Sequence, residues 1–278
     1  MLPAALQRPD SENGSKRRGG MKNMTRNMRL TAAVICLLAL LLAGCAARGE
    51  AAPTETALTE TEEPSMETTQ IEQERAPRLL YLGHASLRIV TPEDNVIYID
   101  PFAGEGYDLP ADLILVTHGH YDHCALERVT NRRGDCRIIT HAEALENGGH
   151  QVFELPYVTV QAVEAGYNRN HDVQECVGYV LTFTNGVKLY VSGDTSTTGQ
   201  MSEMAEMEID YAFYCCDGVY NMGPEEAARC AELVGARHSI PYHNVPADPG
   251  NLFDSQLAEQ FDAPNRLILC PGEELELK

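Results

Sequence analysis

The chain has 278 residues, with 21 Lys and Arg against 41 Asp and Glu and a formal net charge of −20. A hydrophobic share of 44% excludes a wholly disordered chain, and the length allows one large domain or two small ones. The acidic excess argues against a protein that grips nucleic-acid phosphates with Lys and Arg, and nine cysteines without a CxxC spacing indicate neither a zinc ribbon nor a disulfide scaffold.

In chain order, six basic residues (Lys16, Arg17, Arg18, Lys22, Arg26 and Arg29) precede the apolar run TAAVICLLALLLAG at 31–44. That run is shorter than the ~20 residues of a comfortable membrane span. A basic region, an apolar core and small residues before a cleavage point make a secretory signal. Leu42-Ala43-Gly44-Cys45 resembles a bacterial lipobox, which implies cleavage before Cys45 and lipid on that cysteine. An uncut membrane anchor is the alternative. Met21, Met24 and Met28 each offer a start close to the basic region. Loss of 1–44 removes seven basic and two acidic residues and leaves a formal charge of −25. Residues 46–77, rich in Ala, Thr, Glu and Pro, cannot bury enough apolar surface to offset their ordering entropy. The expected organisation is therefore a signal at 1–44, a lipidated Cys45 and tether over 45–77, and a folded domain over 78–278. It places the protein outside the cytoplasm, held to the membrane through Cys45.

From Leu79 onward, short β-rich runs bounded by Gly, Pro, Asn or Asp read as strands. They are LLYL (79–82), SLRIV (86–90), VIYID (96–100), LILVT (113–117), RIIT (137–140), YVTVQAV (157–163), GYVLTF (178–183) and VKLYVS (187–192). IDYAFY (209–214), HSIPY (238–242) and RLILC (266–270) follow. The TNG at 184–186 reads as a hairpin turn. Helices are expected at 123–129, 224–236 and 251–261; the second has Pro224 and two Glu in its first turn and closes at Gly235. Early hairpins and later strand–helix alternation predict one α/β domain of about 200 residues.

The chemistry lies at strand ends. Thr117-His118-Gly119-His120-Tyr121-Asp122-His123 places three imidazoles and a carboxylate directly after the strand LILVT. Neutral imidazole nitrogen and carboxylate oxygen are ligands that a divalent ion such as zinc prefers. His118 and His120, two apart, can aim at one ion from an extended loop, and Asp122 and His123 can face a second.

This HxHxDH pattern resembles the signature of the metallo-β-lactamase fold superfamily, and the resemblance covers most of 79–270. Leu82-Gly83-His84-Ala85-Ser86, Ile99-Asp100-Pro101-Phe102, Ser192-Gly193-Asp194-Thr195 and Ile240-Pro241-Tyr242-His243 resemble further stations of that fold. Gly166-Tyr167-Asn168 and Met222-Gly223-Pro224-Glu225-Glu226-Ala227 are similar to the branch of ascorbate-6-phosphate lactonase-like hydrolases. The implied architecture is a four-layer αββα sandwich with two divalent ions, Zn²⁺ or Mn²⁺, at one edge. By resemblance, His118, His120 and a third His hold the first ion; Asp122, His123 and His243 hold the second; Asp194 bridges them. His171 is the expected third His, with His150 and His141 as competitors. His84 and Asp100 are expected behind the ligands, where a carboxylate fixes an imidazole tautomer; a simple turn role for Asp100 is the alternative. His238 reads as structural, and Cys124 as a packed thiol.

The implied activity is hydrolysis of a small-molecule ester or lactone by a hydroxide held between two ions, with Asp122 or Asp194 assisting proton transfer. A phosphodiesterase on the same site, and a lipid-anchored binding protein on a hydrolase scaffold, are the alternatives. No nucleic-acid partner is expected.

Overall fold

Among the described residues the apolar runs fold as twelve strands in two six-stranded sheets. The structure, a computed structural model, describes residues 75–248 and 250–278. The expected signal, the lipidated Cys45 and the tether as far as residue 74 lie outside them. The first sheet contains β1 (Arg78–Gly83), β2 (Ser86–Val90), β3 (Val96–Ile99), β4 (Ala111–Leu115), β5 (Arg132–Ile139) and β12 (Glu274–Glu276), in the order β12-β1-β2-β3-β4-β5. The second contains β6 (Val152–Leu155), β7 (Val158–Glu164), β8 (Val177–Phe183), β9 (Lys188–Val191), β10 (Tyr211–Cys215) and β11 (His238–Tyr242), in the order β11-β10-β9-β8-β7-β6.

Side chains alternate across a strand, so a strand apolar at every position must be covered on both faces. In β3, Ile97 and Ile99 face the main core between the sheets, while Val96 and Tyr98 face a second cluster on the outer side. That outer cluster is closed by Tyr107, Leu109, Leu126 and Val129 from the loops after β3 and β4. On the second sheet the outer cover is α2 (Pro224–Val234), which buries Ala227, Cys230, Ala231 and Val234. Its helix ends at Gly235 in the left-handed conformation. The result is the expected α/β sandwich, with thin outer layers.

Each sheet is mixed, with three antiparallel pairings and two parallel ones. Strands β12, β1, β2 and β3 pair antiparallel, whereas β3, β4 and β5 run parallel. Strands β6 to β9 form an antiparallel meander, with Thr184–Gly186 turning between β8 and β9, and β9, β10 and β11 run parallel. Parallel neighbours need long crossovers, and those after β4 and β9 carry the HxHxDH and Gly-Asp-Thr segments, while Pro-Tyr-His ends β11 at the same edge.

Three expected elements are corrected. Residues 123–129 form only a 3-10 turn, Leu126–Arg128, because Ala125 N–H is taken by Pro101 O and the side chain of His123 by Asp100. Of 251–261, only α3 (Ser255–Ala258) is helical, capped by the Asp254 carboxylate, before Phe261 enters the core. RLILC makes one bridge, Ser239 to Arg266, rather than a strand. Strands β6 and β12, and the short helix α1 (His141–Ala144), are additional.

Candidate metal centre

Open α/β sheets gather ligands outside the carboxyl ends of their strands. Here β3 delivers Asp100, β4 delivers His118, His120, Asp122 and His123, β9 delivers Asp194, β10 delivers Asp217, and β11 delivers His243. The β1–β2 turn adds His84, and the β7–β8 loop adds His171. The sheets are stitched together at this edge. Val177 N–H donates to Thr117 O at 3.0 Å and Tyr179 hydroxyl to Val116 O at 3.0 Å.

Three groups of side chains converge closely enough to hold an ion: His118, His120 and His171; His84, Asp122, His123 and His243; and His118, His123 and Asp194. Asp194 lies between the sets. Its Oδ1 is 3.3 Å from His123 Nε2, and its Oδ2 is 3.2 Å from His171 Nε2 and 3.3 Å from His243 Nε2. Two atoms each ~2.1 Å from a tetrahedral ion stand ~3.4 Å apart, so these spacings match atoms that share ions. All seven expected ligands are therefore brought together. Of the two competitors, His150 is exposed, and His141 stands on an adjoining groove behind His118, His120 and His171. His238 stacks on Tyr211 with ring centroids 5.0 Å apart, away from the cluster, as a structural residue would.

The side chains behind the ligands fix their orientation. Asp100 is fully buried and takes His123 Nδ1 at 2.8 Å, Thr117 N–H at 2.8 Å and Thr117 hydroxyl at 2.6 Å. It thus does more than open a turn. His84 Nε2 donates to Asp122 Oδ2 at 3.0 Å, and His84 O accepts His243 N–H at 2.9 Å, which ties the first sheet to the second. His84, Asp100 and His243 all have positive φ, at 51°, 45° and 40°. Such backbone costs about 1–3 kcal/mol per residue and persists where its surroundings over-determine it, commonly at functional sites.

Three supporting residues escaped the sequence reading. Asn168 Oδ1 accepts His171 Nδ1 at 3.1 Å and so turns Nε2 toward Asp194. Asn221 Nδ2 donates to Asp194 Oδ2 at 2.8 Å and to Asp217 Oδ2 at 2.8 Å. Asp217 Oδ1 accepts the N–H groups of Val219 and Tyr220, both at 2.7 Å. Asp217 was findable, since it follows a strand as Asp194 does. Asn168 closes the Gly166-Tyr167-Asn168 segment already noted, though nothing in that segment announces its bond to His171, and Asn221 carries no local signal.

Burial, reinforced by His123, pushes His118 down to about 2, so its ring stays neutral with a lone pair for an ion. Burial and His243 push His84 down to about 4, and burial with His171 lowers His120. Burial works against ionisation of Asp122 and Asp194. The His84 bond with His123 and His243 outweighs it at Asp122, and His243 and His123 outweigh it at Asp194, so both stay below the usual carboxylate range.

The donor set fits divalent ions. His118 Nε2, His123 Nε2, His243 Nε2 and Asp194 Oδ1 are buried and make no hydrogen bond. Each such group costs about 1–3 kcal/mol when left unsatisfied, and a shared ion would satisfy them together. Beside them opens a cleft of about 330 Å³, whose walls include Tyr121, Asn170, Tyr220, Pro246 and Ala247.

A family model described as a beta-lactamase superfamily domain matches residues 78–243. A metal-dependent hydrolase of Rubrobacter xylanophilus is 31% identical over 237 residues, covering 71% of this chain and 96% of its own length. Another from Thermococcus onnurineus is 31% identical over 229 residues, covering 72% of this chain and 99% of its own. Among solved structures, the metallo hydrolase Igni18 of Ignicoccus hospitalis superposes with a TM-score of 0.54 at 20% identity, over 73% of this chain and 99% of its own.

Proposed function

The chain belongs to the beta-lactamase superfamily and is a metal-dependent hydrolase of that fold, and from this we propose that it hydrolyses a small-molecule ester or lactone at a two-ion centre. The observation that carries the two-ion reading is Asp194, whose two oxygens lie within 3.3 Å of imidazoles from both ligand sets. His118, His120 and His171 would hold one ion, Asp122, His123 and His243 the other, and Asp194 both. The ions, Zn²⁺ or Mn²⁺, would supply a nucleophile from water at neutral pH and polarise the bond under attack. Asp100, His84, Asn168 and Asn221 hold the ligands in position. Asp122 and Asp194 both line the cleft, where their carboxylates can take the proton released during attack.

The test is turnover of an ester and lactone panel by the purified protein. EDTA should abolish it, and Zn²⁺ or Mn²⁺ should restore it. Residues merely supporting a ligand cost 10–100-fold when lost, so Asp194→Asn should cost roughly 100-fold or more, with the fold retained by circular dichroism. Full activity in a metal-free preparation or in Asp194→Asn would overturn the reading.

The same proposal includes the N-terminal segment: Cys45 is the lipidated first residue of the mature protein, which is held at the outer side of a bacterial membrane. Its support is the basic, apolar and small-residue order of 16–45.

A further inference from the structure

We propose that the cleft selects substrates carrying an aromatic ring beside the scissile carbonyl and rejects phosphorylated or otherwise anionic ones. This rests on the hydrolase reading above and narrows it to aryl- or benzyl-bearing esters and lactones.

The walls of the cleft that are not candidate ligands are two aromatic rings (Tyr121 and Tyr220), two small apolar residues (Pro246 and Ala247) and one amide (Asn170). Among the described residues no Lys or Arg lines it. Away from the ions, whose charge Asp122 and Asp194 partly offset, an anionic substituent would need an Arg fork or a Lys to hold it, and the walls of this cleft present neither. Arg169 lines a neighbouring groove, where Asp172 and Glu175 offset its charge. The formal charge of −25 left after loss of 1–44 further disfavours the approach of an anion.

The two tyrosines are exposed yet braced. Tyr121 is 67% exposed while its ring packs edge-on against Phe102, with centroids 5.8 Å apart. Tyr220 is 50% exposed, but its N–H is held by Asp217 Oδ1 at 2.7 Å and its C=O by Asn170 Nδ2 at 2.8 Å. An exposed aromatic on a flexible loop would need no explanation. A packed Tyr121 ring and a Tyr220 anchored through its backbone, both on a concave wall beside a ligand cluster, offer a surface for a flat apolar group. Asp217 also accepts the amide of Asn221, the residue bonded to Asp194. The same side chain therefore holds the Tyr220 backbone and, through Asn221, the carboxylate of the cluster.

The test compares benzyl acetate, isobutyl acetate and 4-carboxybenzyl acetate on the metal-loaded enzyme. The three share an acyl group and have similar leaving groups, differing in ring and charge. The benzyl ester should exceed the isobutyl ester in kcat/KM by about three- to tenfold, and the carboxylated ester should be the poorest of the three. Tyr121→Ala and Tyr220→Ala should each bring the benzyl-to-isobutyl ratio toward one, chiefly through KM. Titration calorimetry with the matching amides, N-benzylacetamide, N-isobutylacetamide and N-(4-carboxybenzyl)acetamide, should give the same order of affinity. Preference for the carboxylated compounds, or a ratio unmoved in both tyrosine variants, would overturn the proposal. If no ester is turned over while the amides bind in the expected order, the ester-hydrolase reading fails and the selectivity of the cleft stands.

Discussion

Imidazoles differ here chiefly in what holds their second nitrogen. His171 is turned by Asn168 so that Nε2 lies 3.2 Å from Asp194, while His150 is exposed on the surface. Removing the first should therefore loosen one ion, since its site keeps only His118, His120 and a carboxylate, Asp194, that is shared with the second ion. His171→Ala should bind about one ion per chain instead of about two, and His150→Ala should keep the full complement, both measured by elemental analysis of the purified protein. Metal loss confined to the His150 variant would reverse the assignment.

Strand ends converge only if their backbones approach closely, and Gly193 marks the tightest approach beside the cluster. Its φ is +61°, and a Cβ there would stand 2.6 Å from Val177 O and 3.1 Å from Thr117 Cβ. Gly235, which closes α2, has a similar φ of +67° but only Ala205 Cβ nearby, at 3.9 Å. Left-handed backbone costs a non-glycine residue about 1–2 kcal/mol, and Gly235→Ala should cost about that in urea unfolding while retaining metal. Gly193→Ala bears the same strain and also pushes the β9 end away from β4 and β8. It should cost more than ~2 kcal/mol and weaken metal binding. Equal metal content in the two variants would show that the separation of the strand ends does not set the cluster.

At the scale of the whole chain, the folded domain is strongly acidic, and no helix among the described residues is long and apolar enough to cross a membrane. Attachment, on the reading proposed above, falls to lipid on Cys45 with residues 46–77 as spacer. Cys45→Ala should release or mislocalise the protein, with the metal content and turnover of its folded domain unchanged. Mass spectrometry of detergent-extracted protein should find a diacylated or triacylated cysteine at the mature N-terminus. An unmodified N-terminus elsewhere would refute the anchor.

What the sequence alone determined is what local patterns encode. Alternating apolar runs placed β2 and β11 to the residue and most other strands nearly so, because a strand's period is written in its own side chains. HxHxDH was legible because four of the candidate ligands fall within six residues. Asp194 and His243 were legible because each ends a readable strand and matches a family station. The tertiary structure decided the rest. Residues 123–129 and 251–261 lost most of their expected helix to long-range contacts, since short helices draw their stability from packing. The 3.0 Å bond from His84 to Asp122 spans 38 residues, and the bond from Asn221 to Asp194 spans 27. No local spacing announces either. The aromatic wall, and the absence of lysine or arginine from it among the described residues, are likewise properties of a surface assembled from four loops, which exists only once both sheets have brought their strand ends to one edge.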